Sequence, residues 1–145
     1  SYISSGEQRM DIYRRIAALR TSEGAQELLD ELLDRYGEPP PPVLKLMDVA
    51  LLRAEAVQSG ICDITQRGGE IVFTFAAGEN MPVEAVMALC TQTKNKRRLT
   101  LSATGTEPKL TLRLAPNEDA LESALTLVED LRVNKEENEK EVTSC

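Results

Sequence analysis

The stretch Leu28–Ile61, LLDELLDRYGEPPPPVLKLMDVALLRAEAVQSGI, decides how the rest of the chain is read. An amphipathic helix runs into Gly37, four prolines follow at Pro39–Pro42, and a second, almost wholly apolar helix begins. The first helix places Leu28, Leu29, Leu32, Leu33 and Tyr36 on one side at helical spacing. Glu27, Asp30, Glu31 and Asp34 fall almost opposite, at about 100° per residue. Gly37 suits a left-handed C′ position, where a side chain would clash. Successive prolines remove donors and push each preceding residue into extended geometry, so Glu38 to Pro42 cannot continue the helix. Pro42 fits the first turn of the next helix, where a missing N–H is no loss. That helix is expected to reach about Ser59 and stop at Gly60. Val43, Leu44, Leu46, Met47, Val49, Ala50, Leu51, Leu52, Ala54 and Val57 leave it little polar face, so burial on several sides is expected.

Before this stretch, Ser5 followed three residues later by Gln8 fits a capping box. It opens a helix from Glu7 to about Arg20, on which Met10, Tyr13, Ile16, Ala17 and Arg20 follow helical spacing. Thr21 and Ser22 supply the break and the next cap. After Gly60 the period changes. Ile61 to Gln66 and Glu70 to Ala76 read as strands joined by Arg67-Gly68-Gly69. Asn80, Met81 and Pro82 open a helix to about Thr93, with Val83, Val86, Met87, Leu89 and Cys90 as its apolar residues. Arg98 to Ala103 and Lys109 to Ala115 alternate with period two, around a turn containing Gly105. Asn117 is the expected cap of a last helix striped by Ala120, Leu121, Ala124, Leu125, Val128 and Leu131. The order is ααα-ββα-ββα, three helices and then two β-hairpins each followed by a helix, which is α+β and not α/β. One domain is expected over 1–133, and the charged tail 134–145, NKEENEKEVTSC, is expected to fray.

The 145 residues suit one domain with a real core. Apolar residues at 41% and charged residues at 28% exclude a disordered chain. No run of about 18 uncharged apolar residues is present, so no membrane span is expected. The start, SYISSGEQRM, is polar and lacks a signal-peptide pattern. It begins at Ser1 without a methionine, as a processed form or an excised domain would. A net charge of -7 argues against a general nucleic-acid-coating role. Cys62, Cys90 and Cys145 stand far apart, a poor disulfide framework; two buried thiols and one tail thiol in a reducing cytoplasm are expected.

No catalytic motif is present. GxxxxGK[ST] is missing, and Gly68-Gly69 has no following helix to bind an anion. There is no histidine to serve as base or ligand, and no CxxC to hold zinc. Two charged constellations remain. One is TKNKRRL, with Lys94, Lys96, Arg97 and Arg98, which no aromatic residue interleaves, so base stacking is not indicated. The other is the acidic face of Glu27, Asp30, Glu31 and Asp34. Its like-charge i,i+4 pairs each cost roughly 0.2–0.5 kcal/mol. Arg35, four residues after Glu31, is the only helical counter-charge. Such a face is either simply solvated or a docking strip for an arginine-rich partner.

YRRIA at Tyr13–Ala17, ELLDRYG at Glu31–Gly37, a proline-led helix and ALLRAEAVQSGI at Ala50–Ile61 together resemble the C-terminal domain of bacterial transcription-repair coupling factor. The similarity is strongest over residues 2–61 and is carried by element order from residue 62 onward. The resemblance implies a piece of a large ATP-powered DNA translocase. That protein recognises RNA polymerase stalled at damage, displaces it and recruits the excision-repair protein UvrA. Its motor (with ATP and Mg), polymerase-binding domain and UvrB-like module would precede this domain, and none of their motifs occurs here. No cofactor is expected in this chain, and RNA polymerase and DNA would meet only other parts of the parent.

The resemblance further implies a non-catalytic, regulatory, cytoplasmic domain. It would pack on the UvrB-like module, mask the surface that UvrA uses, and move away for recruitment. Glu31 and Asp34 match the acidic positions of the family's ELxDRFG segment, which contribute to that lock. Glu27, Asp30 and Arg35 are secondary candidates. Tyr36 stands where the family usually has Phe, and the proline run is richer than usual. The tail has no counterpart, so no role is transferred to it. Two other readings stand beside this one: a nucleic-acid-contacting accessory module using Lys94–Arg98, and a module that only stabilises its parent.

Overall fold

The structure, a computed structural model, describes residues 2–76, 81–92, 95, 97–103 and 106–143, with 138–143 by backbone alone. The fold is α+β, with helices α1 (Gly6–Ala17), α2 (Ser22–Tyr36), α3 (Pro41–Gln58), α4 (Val83–Thr91) and α5 (Ala120–Thr143). The strands are β1 (Ile61–Arg67), β2 (Glu70–Phe75), β3 (Leu99–Ser102) and β4 (Lys109–Arg113). The expected order of elements is present. The chain divides into two compact units, Ser1–Glu55 and Ala56–Cys145. The division falls in α3, close to the point where helical periodicity gives way to hairpins.

In the first unit, α1 and α2 start as their caps predict. Ser5 Oγ accepts from Gln8 N at 3.3 Å, and Thr21 Oγ1 accepts from Gly24 N at 3.0 Å. Ile3, Ile12, Ile16, Leu19, Leu28, Leu32 and Met47 form the buried core, with Tyr2, Ala25, Leu29, Tyr36, Val43 and Ala50 packed against it. Leu33 departs from expectation: it is 44% exposed. The true inner direction of α2 lies between Leu28 and Leu32, which puts Leu33 about 120° away at 100° per residue. The prolines do launch α3, one residue earlier than expected, and Pro40 O accepts from Val43 N at 3.0 Å and Leu44 N at 3.3 Å.

Burial of α3 on several sides does not extend along its whole length: Leu51 and Ala56 are buried toward its C-terminal end, but its first half is buried along one side only. Leu44, Leu46 and Val49 are exposed, while Val43, Met47 and Ala50 reach the core cluster. A helix segment packed along one side buries one stripe, whatever its remaining residues are, and that holds for Pro41–Ala50. Glu55, by contrast, is fully buried, at 0% exposure.

In the second unit, the two hairpins merge into one antiparallel sheet of order β1-β2-β4-β3. Register places Ile64, Phe73, Leu110 and Leu101 in one cross-strand row, and Gln66, Ile71, Leu112 and Leu99 in another. Alternation sends this face inward, with Ile71, Phe73, Phe75, Leu99, Leu110 and Leu112 buried. Ala85, Val86 and Leu89 of α4 and Ala124, Leu127, Val128 and Leu131 of α5 complete the buried set, and α4 packs on α5. Gly68 and Gly69 form the β1–β2 loop. Only Gly68 has positive φ (57°), the pattern of a type II′ turn.

Several boundaries shift. Val83 and Met87 are exposed, lying one turn apart on the outer side of α4. The cap of α5 is Asp119 rather than Asn117, since Asp119 Oδ2 accepts from Glu122 N at 3.0 Å. The helix then continues to Thr143, so the backbone over 134–143 is helical where fraying is expected. Arg132 bridges Glu129 at 2.5 Å and Glu136 at 2.8 Å, and Lys135 Nζ donates to Gln58 O at 3.0 Å, which favours that continuation. Cys62 is exposed and Cys90 half-buried, against the expectation of two buried thiols. Cys62 sits at a register shift between Ile61 and Asp63, off the inward row. Cys145, Asn80 and Gly105 lie outside the described residues.

Candidate functional site

The acidic helix face is built on α2, whose inner side is anchored by Leu28 and Leu32. Glu27, Asp30 and Asp34 are exposed, and they cluster opposite that inner side. Asp30 Oδ1 accepts from Gln26 Nε2 at 2.9 Å. Asp34 has no ion-pair partner among the described residues. Leu33, next to Asp34 and three residues from Asp30, gives the acidic surface an apolar border.

Glu31 is placed differently from its three neighbours. It is only half-exposed and turns toward α1. Arg15 Nη1 donates to its Oε2, and Arg15 Nη2 donates to its Oε1 at 3.3 Å. Arg35 Nη1 lies 3.5 Å from the same Oε2. The Arg15 hydrogen bonds, helped by both guanidinium charges, hold the Glu31 carboxyl below the usual carboxylate range, and the same bonds raise Arg15. The four carboxylates read from the sequence are therefore three plus one.

Arg15 is a functional residue that the acidic pattern of α2 does not mark. A signal for it exists. Arg15 directly precedes buried Ile16 on α1, and Glu31 directly precedes buried Leu32 on α2. Residues flanking two facing apolar stripes in this way are placed to pair across a helical hairpin. Arg35 also lies 5.1 Å over the Tyr36 ring, and Tyr36 meets Tyr2 edge-on with ring centroids 5.9 Å apart.

The basic constellation resolves otherwise. Lys94 and Lys96 lie outside the described residues, and Arg97 is exposed. Arg98 is committed inside the second unit: it pairs with Glu118, and its Nε donates to Arg113 O at 3.1 Å. Asn95, between Lys94 and Lys96 in sequence, is buried and donates to Leu89 O at 3.0 Å, closing the end of α4. A cavity of about 390 Å³ in this unit is lined by Arg98, Asn117, Glu118, Asp119, Glu122 and Asp130, among others. Among the described residues, no group of three or more His, Cys, Asp or Glu is arranged to hold a metal ion, and no helix is long and apolar enough to cross a membrane.

Fold and site together define an α+β domain that presents a charged helix face. The TRCF domain family model matches residues 1–86, more than half of the 145-residue chain, and the chain belongs to that family. It is similar to the transcription-repair-coupling factor of Mycobacterium bovis, 44% identical over 64 residues, which is 44% of this chain and 5% of that protein. The Escherichia coli factor is 36% identical over 74 residues, 50% of this chain and 6% of that protein. The Staphylococcus aureus factor is 29% identical over 87 residues, 59% of this chain and 7% of that protein. The chain thus matches only 5–7% of the length of these relatives. A crystal structure of the C-terminal domain of transcription-repair coupling factor superposes with a TM-score of 0.75 at 22% identity, covering 94% of this chain and 86% of that one. That likeness extends the shared fold past residue 86.

Proposed function

We propose that this chain is the non-catalytic, autoinhibitory C-terminal domain of a cytoplasmic transcription-repair coupling factor. The domain docks on the UvrB-like module of the same polypeptide and masks the surface used by UvrA. ATP, Mg, DNA and RNA polymerase are handled by other parts of that protein. The observation that carries the reading is the outer face of α2. Asp34 is exposed and has no ion pair among the described residues, beside Glu31 and the exposed Leu33, on a helix seated by Leu28 and Leu32.

The chemistry is complementary charge plus an apolar border. Asp34 and Glu31 accept charge-assisted hydrogen bonds from basic side chains of the UvrB-like module. Rim-exposed ion pairs contribute roughly 0–1 kcal/mol each. Two such pairs, at most about 2 kcal/mol together, shift a docked–undocked equilibrium by about thirtyfold at most, since about 1.4 kcal/mol is a factor of ten. Burial of Leu33 supplies an apolar share, at roughly 25 cal/mol per Å² removed from water. A lock of this strength holds at rest and yields when the parent rearranges.

The test is Glu31→Ala with Asp34→Ala in the full-length factor, read by UvrA capture. Capture is expected to rise by about three- to tenfold while thermal unfolding stays cooperative. Unchanged capture by a folded variant overturns the reading.

A further inference from the structure

We infer that Arg15 is a built-in competitor for the docking carboxylate Glu31, and that it holds the lock below the strength its carboxylates allow. The inference rests on the docking reading above and concerns the regulation of that same surface. Arg15 touches no partner in this scheme; it is a positioning residue that acts through Glu31.

Both oxygens of Glu31 are already engaged. Arg15 takes Oε2 through Nη1 and Oε1 through Nη2, the fork-on-fork arrangement that matches guanidinium to carboxylate. Arg35 adds a second guanidinium 3.5 Å from Oε2. One negative charge therefore faces two positive ones, and the local field around Glu31 is not that of a free acid. An incoming arginine or lysine meets cations there. One turn further on, Asp34 has no such guard among the described residues. The two carboxylates, equivalent in the sequence pattern, are unequal in the fold. A basic partner pairs first with Asp34 and gains Glu31 only when Arg15 lets go.

The guard is releasable. Its side chains are 40% exposed at Arg15 and 37% at Glu31, so water replaces the bond when Arg15 swings out. A buried pair would be part of the scaffold; this one lies at the rim, where exchange of partners is cheap. The two segments that carry the family resemblance, YRRIA and ELLDRYG, are the two that it joins.

The experiment uses the full-length factor and UvrA capture, with Asp34→Ala as the reference. Arg15→Gln removes the competing charge and frees Glu31. Capture is expected to fall about three- to tenfold below wild type, the opposite direction from Asp34→Ala. Arg15→Lys keeps a charge without the fork and is expected to fall between the two. Glu31→Ala is expected to matter little alone and strongly in the Arg15→Gln background, a non-additive cycle that a merely structural role for Arg15 does not produce. Capture equal to or above wild type in Arg15→Gln, with Asp34→Ala still raising it, overturns the inference and leaves the docking reading standing. No response to Asp34→Ala or to the Glu31 and Asp34 double variant overturns the docking reading itself. If Arg15→Gln unfolds, Arg15→Lys decides: capture at or above wild type counts against the inference.

Discussion

The hydroxyl of Tyr2 donates to the carbonyl of Gly37, 35 residues later, at 2.6 Å. The same hydroxyl lies 3.2 Å from Leu32 O, so the end of α2 is stitched to the start of the chain. Carbonyls at a helix end have no intrahelical partner, and this side chain supplies one. Tyr2→Phe keeps the ring against Tyr36 and removes only the donor. It is expected to lower stability by about 1 kcal/mol, with the denaturant slope unchanged in urea unfolding followed by circular dichroism.

Two adjacent leucines of α2 provide a sharper test. Leu32 is fully buried and Leu33 is exposed. Leu32→Ala is expected to cost about 2–5 kcal/mol, whereas Leu33→Ala is expected to change stability by about 0.5 kcal/mol or less. Equal losses in chemical denaturation would mean that the helix is rotated from the position described.

Glu118 organises the approach to α5. It accepts from Ala115 N at 2.7 Å and Ser123 Oγ at 3.1 Å, and it pairs with Arg98. Glu118→Ala leaves a backbone donor and a guanidinium without their partner. A loss of about 1 kcal/mol is expected from thermal or urea unfolding, and Glu118→Gln, which keeps an acceptor, should lose less.

Glu31 and Glu118 also set an acid dependence. Hydrogen bonds from Arg15 hold the first carboxyl below its ordinary range, and those from Arg98 and the Ala115 amide do so for the second. A carboxyl depressed on folding binds fewer protons folded than unfolded at acidic pH. Its stabilisation is complete above the unfolded value of about 4.3 and is lost as pH falls through the folded value. Calorimetric Tm should therefore drop below about pH 5 more steeply in the wild-type chain than in the Glu31→Gln, Glu118→Gln double variant. Parallel acid limbs would contradict the pairing.

Local signals made most of the elements legible. Ser5, Thr21, Gly60 and the Gly68-Gly69 loop act where their chemistry predicts, because caps and tight turns depend on neighbours within a few residues. What the pattern could not convey depended on distant packing. The leucines of α2 leave two rotations of the helix open, and only contact with Ile12 and Ile16 selects the one that exposes Leu33 and turns Glu31 inward. The apolar residues of α3 look like core by type, yet a single side of contact leaves Leu44, Leu46 and Val49 outside. Glu55 reads as a surface position in LLRAEAVQ and is fully buried. The joining of the hairpins through β2 and β4 is likewise a long-range choice that hairpin signals do not encode.

At Gly37 the left-handed expectation is met in φ but not in ψ. The values are 84° and -167°, outside the left-handed helical basin and in a region open essentially to glycine alone. Reflected, this is close to the extended conformation that ordinary residues favour. A Cβ built there would meet nothing within 4 Å. The obstacle at the exit of α2 is thus one of chirality, not of room. A D-alanine placed at position 37 by chemical synthesis would fit where L-alanine strains, and the proline segment that follows takes its heading from the one residue in the chain's turn that has no handedness.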